Sequence, residues 1–428
     1  MARFSAIAAP SNKANPLGRQ KAPLRYAFLS PVICGVSRKK PRRARALKIA
    51  YVTTYDSSDV HAWSGSGNYI LRVLQQDVGI QTESIGNLRE GGVGALLSRF
   101  KKIYYSKLLS KQYLRDREPR ILKDYVVQVE RRLASVHFDI AFSPGTIPIA
   151  YSQIEKPIVF WTDATFAGMI DFYPAFTNLC AETIRNGKKM EQLALSKCNL
   201  AIYASEWAAN TAIQNYDVDP AKVKVVPFGA NINCYRDAHE IRRICDNKSF
   251  DTCKLLFVGV DWHRKGGDKA LAVANLLNKR GLRTELHIVG CTLSVSPPPF
   301  VINHGFISKT TEEGRNHLDK LFSEAHFLIL PSRAECYGVV FAEASSFGLP
   351  SVATKVGGIP TVIQDGKNGW TFDIGEPPEK YCDYIERLML SKNDYRELAL
   401  SCFQEYSERL NWHSAGRAVF ELMQEFCG

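Results

Sequence analysis

The first 46 residues contain no aspartate or glutamate, although eleven of them are basic: Arg3, Lys13, Arg19, Lys21, Arg25, Arg38, Lys39, Lys40, Arg42, Arg43 and Arg45. That block carries all but one unit of the formal charge of +12. The remaining chain is therefore close to neutral, which argues against a folded body that binds nucleic acid through bulk charge. No uncharged apolar run approaches the roughly 18 residues a membrane helix needs, so the chain is not expected to span a bilayer. The 11 cysteines form no CxxC pair and the histidines no HExxH, which removes the usual signatures of a zinc site or a redox dithiol. A reduced, cytosol-like compartment is the simplest reading. Also missing are GxGxxG and GxxxxGK[ST], so neither a dinucleotide fingerprint nor a P-loop is supported.

What is present is globular in texture, with 45% hydrophobic and 23% charged residues over 428 positions. That length suits two or three domains. Residues 1–46 mix Pro, Ala, Ser, Arg and Lys without periodicity and read as a disordered extension; a transit peptide for organelle import and a partner-binding arm compete with a plain tail. From residue 47 short β-branched runs alternate with helical stretches: "LKIAYVTTY", "FDIAFSPG", "KPIVFWTDA", "NLAIYASEW" and "VKVVPFGAN". A second series begins at "KLLFVGVD" and continues through "TELHIVG", "HFLILPS" and "PSVATKV". Apolar strands separated by helices imply parallel sheets covered on both faces. The expected fold is α/β, with two doubly wound Rossmann-like domains facing across a cleft: residues 47–230, a polar linker at 231–250, residues 251–410, and a terminal helix at 411–428.

The stretch "RAECYGVVFAEASSFGLP" (333–350) follows the strand "HFLILPS", so its loop should face the ligand edge of the second sheet. Backbone N–H groups of Tyr337, Gly338 and Val339 would open the next helix, where a phosphate is attracted and Gly338 permits close approach. Glu335 and Glu343 stand eight residues apart, roughly 10 Å if part loop and part helix. That matches a diphosphate with a sugar at each end, with Glu335 on a donor sugar and Glu343 on a ribose; a surface Glu and a buried salt-bridged Glu is the competing reading. "FVGVDWHRKGGDKAL" sets Arg264 and Lys265 on the same edge, able to neutralise a leaving diphosphate without a metal, or simply to form a solvated loop. In the first domain Gly65 and Gly67 open a helix after a strand and would admit a phosphate or sugar. Asp163, after "VFWT", faces the cleft as a polar contact or caps the next helix.

Together these residues resemble glycosyltransferase family 4, the glycosyl transferases group 1 with the GT-B fold, from residue 47 onward. The most specific match is the E-x7-E pair Glu335 and Glu343 followed by "ASSFGLPSVATKVGGIPTVIQDGKNGWTF". The resemblance implies retaining transfer of a sugar from a nucleotide sugar of UDP- or GDP-hexose type to a hydroxyl of a glycan, lipid or small molecule. It also implies no cofactor and no required metal, a last helix that crosses back onto the first domain, Lys265 on the donor diphosphate, and Gly65 under the reacting centre. It further implies front-face attack, with Glu335 positioning the donor rather than acting as nucleophile. Two positions depart from the family pattern. Val260 stands where many members carry arginine, with Arg264 as the substitute, and the region of Asp163 lacks a histidine many members use.

Other readings are a GT-B sugar-nucleotide epimerase and a non-catalytic protein that binds nucleic acid or a membrane surface. No RNA motif accompanies the basic residues, so no nucleic-acid partner is expected. In "SRFKKIYYSKLLSKQYLRDR", Phe100, Ile103, Tyr104 and Leu108 recur at helical spacing beside Lys101, Lys102, Lys107 and Lys111. A core-facing helix with a solvated basic face competes there with a helix resting on anionic lipid. The expected location is cytoplasmic, with peripheral contact at an inner membrane face as its extension.

Overall fold

In the computed structural model the described residues are 47–60, 62–291, 293 and 298–426. The expectation for the extension 1–46 lies outside them. Two six-stranded sheets carry the fold. The first joins β1 Lys48–Val52, β2 Gln81–Ile85, β3 Ile140–Ser143, β4 Ile158–Thr162, β5 Leu200–Tyr203 and β6 Val223–Val225 in the order β2-β1-β3-β4-β5-β6. The second joins β7 Cys253–Val258, β8 Thr284–Val289, β9 Val301–Asn303, β10 Phe327–Leu330, β11 Ser351–Thr354 and β12 Gly369–Phe372 in the order β12-β11-β10-β7-β8-β9. Every pairing is parallel. Helices link most of the strands, as parallel order requires, while β3 passes to β4 through a helix-free segment, 144–157. The strands β3, β4, β5, β10 and β11 are buried at every residue, which is why they read as continuous apolar runs.

Each sheet reverses its winding direction once, between β1 and β3 in the first and between β7 and β10 in the second. At such a point two connections leave in opposite directions and open a crevice beyond the strand carboxyl ends, where ligands bind in sheets of this kind. Both candidate sites described below lie at these two crevices.

The expected linker is only partly a linker. Ala238–Asp246 forms a helix inside it, with the Asp237 carboxylate accepting from the Glu240 N–H at 2.8 Å as N-cap. Ile241 and Cys245, one turn apart, are buried against the second domain, so this stretch belongs to that domain. The surrounding polar residues masked a short apolar stripe.

The last helix, Trp412–Gln424, packs on the first domain. The Trp412 ring stacks on Tyr69 at 5.8 Å and on Phe228 at 5.5 Å, and its indole N–H donates to Asn231 at 3.0 Å. Phe228 also meets Trp161, Trp63 and Tyr337, the last from the second domain, so one aromatic seam fastens the two halves. Edge-to-face and offset ring pairs of this kind add roughly 0.5–1.5 kcal/mol each beyond area burial.

Candidate functional site

At the second crevice the turn after β7 is forced by its glycines. Gly266 has φ +75°, and a Cβ there would come within 2.0 Å of the Pro331 carbonyl. The Lys265 side chain is thereby held close to the loop after β10. It is buried and pairs with Glu335, itself only 7% exposed. Arg264 completes the cluster: one guanidinium nitrogen donates to the Ala334 carbonyl at 3.0 Å and lies 3.4 Å from the Glu335 carboxylate. Its own backbone N–H donates to Asp261 at 3.0 Å. A carboxylate shared by two cations is a weak nucleophile and a well-fixed hydrogen-bond acceptor. Val260 is 73% exposed, and the guanidinium beside Glu335 is that of Arg264.

Gly338 has φ +88°, and a Cβ there would press on the Phe341 ring at 2.6 Å. No hydrogen bond among the described residues uses the backbone N–H of Tyr337, Gly338 or Val339. The Tyr337 side chain is structural: it is buried and its hydroxyl donates to the Phe228 carbonyl at 2.6 Å across the domain boundary. Glu343 lies on the helix Val339–Ser345, 2% exposed, and accepts from Lys309 at 2.5 Å. A ribose would reach it at the rim where Lys309 stands, not on an open face.

The first domain closes over Arg264 and Glu335. The Tyr173 ring lies 4.7 Å beneath the Arg264 guanidinium, the Cys336 thiol meets Met169 at 3.2 Å, and Glu206 N–H donates to Thr361 at 3.0 Å. Asp163, at the end of β4, receives the Trp63 indole N–H. Its poorly solvated position, reinforced by the nearby Glu335 carboxylate, pushes its carboxyl up to about 6. Asp163 is thus in the field of the Lys265–Arg264–Glu335 cluster although 172 residues separate it from Glu335 in sequence. Gly65 has φ +85° and bends the chain into the helix Ser66–Arg72 beside Asn231. Gly67 differs from its expected role: a Cβ there would meet the Tyr55 hydroxyl at 2.1 Å, so Tyr55 occupies the space expected for a ligand.

The first crevice opens directly beside Asp163. It is a cavity of about 330 Å³, lined by Thr53–Tyr55 after β1, Ser143–Pro148 after β3 and Thr162–Phe166 after β4. Arg117 and Glu191, both buried, line it as well. Burial pushes the Glu191 carboxyl up to about 7, against the opposing pull of a 2.7 Å hydrogen bond from Thr146, of the Arg117 charge and of the Phe166 backbone N–H. Among the described residues no cluster of three or more His, Cys, Asp or Glu side chains is arranged to hold a metal ion.

Trp63, Tyr173, Arg117 and Glu191 went unnoticed in the sequence. For Glu191 a signal existed, since it sits four residues from both Gly187 and Leu195 on the buried face of the helix Ala181–Lys197. A carboxylate on an apolar stripe needs a reason.

Residues 252–391 match the family model described as glycosyl transferases group 1. Curated relatives include D-inositol 3-phosphate glycosyltransferase of Corynebacterium diphtheriae, 26% identical over 247 residues, which covers 54% of this chain and 56% of that protein. Sulfoquinovosyl transferase of Arabidopsis thaliana is 33% identical over 103 residues, covering 23% of this chain and 20% of that one. The match with the inositol phosphate enzymes thus spans a little more than half their length. Among solved structures, sucrose-phosphate synthase of Thermosynechococcus elongatus superposes with a TM-score of 0.64 at 16% identity, covering 89% of this chain and 98% of that chain. HepE of Anabaena, in complex with UDP and glucose, gives 0.59 at 16% identity, with 89% and 100% covered. The chain has the GT-B fold, and its second domain matches the glycosyl transferases group 1 over residues 252–391.

Proposed function

We propose that this chain is a retaining glycosyltransferase that moves a hexosyl group from a nucleotide sugar, of UDP or GDP type, onto a hydroxyl of a separate acceptor. One observation carries the reading: Lys265, Arg264 and Glu335 at the second crevice and Asp163 at the first converge on one cleft. Arg264 and Lys265 stabilise charge as the sugar–phosphate bond breaks, and no metal is part of this reading. Glu335 holds donor hydroxyls, and the free N–H groups of 337–339 meet the diphosphate. The acceptor oxygen bonds to the anomeric carbon on the face the diphosphate leaves, and its proton passes to the departing phosphate oxygen. Asp163, held by Trp63, orients the reacting sugar. Catalysis on this view is mostly positioning and fixed charge.

Nucleotide release from a panel of UDP-, GDP- and ADP-sugars, with Lys265→Ala and Glu335→Ala alongside, tests the reading. One donor should turn over and both substitutions should impair it. Folded wild type that binds none of them at millimolar concentration would overturn it, and release without transfer to any acceptor would favour an epimerase.

A second reading concerns the helix Gly92–Leu108. Its inward face is narrow and made of Gly94, Ala95 and Ser98, with Lys101 turned in to pair with Glu118 at 2.9 Å and with Glu182 at 2.5 Å. Large apolar side chains point outward instead: Val93 and Leu108 are at least 70% exposed, and Leu96, Phe100, Ile103 and Tyr104 at least half. The core-facing arrangement expected from the sequence is therefore reversed. Arg99, Lys102, Lys107 and Lys111 are exposed around this apolar face, and residues 91–115 hold no acid. We infer that it rests on an anionic bilayer. The protein should sediment with phosphatidylglycerol vesicles and lose this on Phe100→Ser/Ile103→Ser; failure to sediment at low salt would end the idea.

A further inference from the structure

After the helix Phe166–Met169 the first domain sends out a loop, residues 170–178, before the chain returns to buried Leu179. No side chain of this loop is buried, and Asp171, Pro174, Ala175 and Asn178 are exposed. Even so, the loop and its root meet the second domain at three places. Met169 touches the Cys336 thiol at 3.2 Å, and the Tyr173 ring lies 4.7 Å from the Arg264 guanidinium. The Phe172 ring stands so close to Gly357 that a Cβ there would approach it to 2.9 Å and the Glu335 carbonyl to 2.0 Å. The loop thus reaches both segments that frame the charged cluster, one after β10 and one after β11.

A loop so lightly packed takes its place from the bonds at its ends. At the near end Thr165 accepts from the Gly168 N–H, and the Ala167 N–H donates to the Tyr216 hydroxyl, both at 3.0 Å. At the far end Asn178 is clasped to the segment 110–112. The Gln112 N–H donates to the Asn178 carbonyl and the Cys180 N–H to the Gln112 carbonyl, both at 2.9 Å. The Asn178 side chain doubles these bonds: its amide donates to the Ser110 carbonyl at 2.6 Å and its oxygen accepts from Lys111 Nζ at 2.6 Å.

Backbone strain gathers in the same assembly. Five non-glycine residues among those described have left-handed φ, and three of them are here: Ser110 at +50°, Asp171 at +56° and Asn178 at +52°. Such backbone is unfavourable for L-residues and persists where its surroundings over-determine it. Four hydrogen bonds do so at Asn178, although Ser110, Lys111, Gln112 and Asn178 are all exposed. The clasp covers no core, so what it secures is the course of the loop.

Resting on the transferase reading above, we propose that Asn178 is a positioning residue for the nucleotide-sugar donor. Held by Ser110, Lys111 and Gln112, it sets the loop so that Phe172 and Tyr173 complete, from the first domain, the wall that Arg264, Glu335 and Gly357 begin in the second. Asn178 acts through Tyr173 and not on the ligand itself. Its contribution falls on donor binding, while Lys265 and Arg264 keep their hold on the charge of the departing diphosphate.

The test uses the full chain with the nucleotide sugar it turns over, and reads donor KM and kcat in Asn178→Ala, Lys111→Met and Tyr173→Leu. Both clasp side chains are exposed, so neither change opens a cavity, and each variant is checked for an unchanged melting profile. Asn178→Ala should raise the donor KM a few-fold with kcat nearly unchanged, as Tyr173→Leu should, and Lys111→Met should do so in smaller measure. Asn178→Asp keeps the bond to Lys111 and tolerates left-handed backbone, so it should recover most of the wild-type KM. The double variant Asn178→Ala/Tyr173→Leu should be no worse than the poorer single one, because both act through one ring, whereas independent effects would multiply. An unchanged KM in folded Asn178→Ala, a loss confined to kcat, or multiplied effects in the double variant would each overturn the assignment. Should Asn178→Ala not fold, the same comparison made with Lys111→Met decides. Folded wild type that neither binds nor turns over any nucleotide sugar would instead sink the transferase reading, so the two failures are distinguishable.

Discussion

The two crevices are built at equivalent points of two similar sheets, yet they handle charge in opposite ways. After β7 and β10 the charged groups are matched within the protein: Lys265 and Arg264 share Glu335, and Arg333 forks onto Asp268 at 2.8 and 2.6 Å. After β1, β3 and β4 they are not matched, and a buried guanidinium nitrogen and a buried carboxylate oxygen stand without partners. A network already satisfied can be held rigid and exchange one partner for a phosphate, whereas an unsatisfied pair awaits a specific hydrogen-bonding shape.

Breaking the charged crevice should have the largest effect. Lys265→Ala removes one of two cations from Glu335 and should lower kcat for donor turnover by about 10²–10³, the usual loss for one preorganised electrostatic group. Because the Glu335 carboxylate then stays buried with only Arg264 beside it, a lowered melting temperature should accompany the loss, measured by calorimetry. Were turnover to persist with only stability reduced, the pair would be structural and the contrast between the crevices would fall.

The other crevice is sharpened by pH. Glu191 titrates near 7 in the folded chain against an ordinary glutamate value of 4.5. A raised carboxylate costs no stability below its unfolded value and accumulates its cost as pH rises through the folded one. Wild type should therefore lose about 3 kcal/mol between pH 4.5 and 7.5 relative to Glu191→Gln, from 1.36 kcal/mol per unit. Denaturant unfolding at the two pH values reads this directly, and parallel curves for both proteins would show that Glu191 is solvated.

The smallest effect is expected at the contact between the halves. Tyr173→Leu removes the ring under Arg264, an interaction of roughly 0.5–2 kcal/mol, and should raise the donor KM a few-fold with kcat nearly unchanged. A fall in kcat alone would move Tyr173 into the reaction itself.

The strands legible in sequence were those whose burial on both faces writes an uninterrupted apolar run, such as "IVFW" in β4 and "FLIL" in β10. The strands missed, β2, β9 and β12, lie at sheet edges, where exposed faces admit Glu83, Asn303 and Trp370 and blur the pattern. At the site, Lys265, Arg264 and Glu335 were legible because glycine turns and strand ends mark them locally. Arg117, Tyr173 and Glu191 were not, since each matters through a partner 45 or more residues away: Glu191 through Thr146, Arg117 through Phe166, Tyr173 through Arg264. Such meetings are made by the tertiary fold alone.

The chain crosses between its halves twice, and the two crossings are bound to one another. Ala230 N–H donates to the Leu410 carbonyl at 3.0 Å, and Gly229 lies so close to Trp412 that a Cβ would reach its backbone nitrogen at 2.2 Å. Two straps lashed side by side behave as a single pin. With the Tyr337–Phe228 and Glu206–Thr361 bonds, that pin fixes how the two crevices face one another. The placement of one crevice against the other is thus a property of the joint, set by residues that line neither of them.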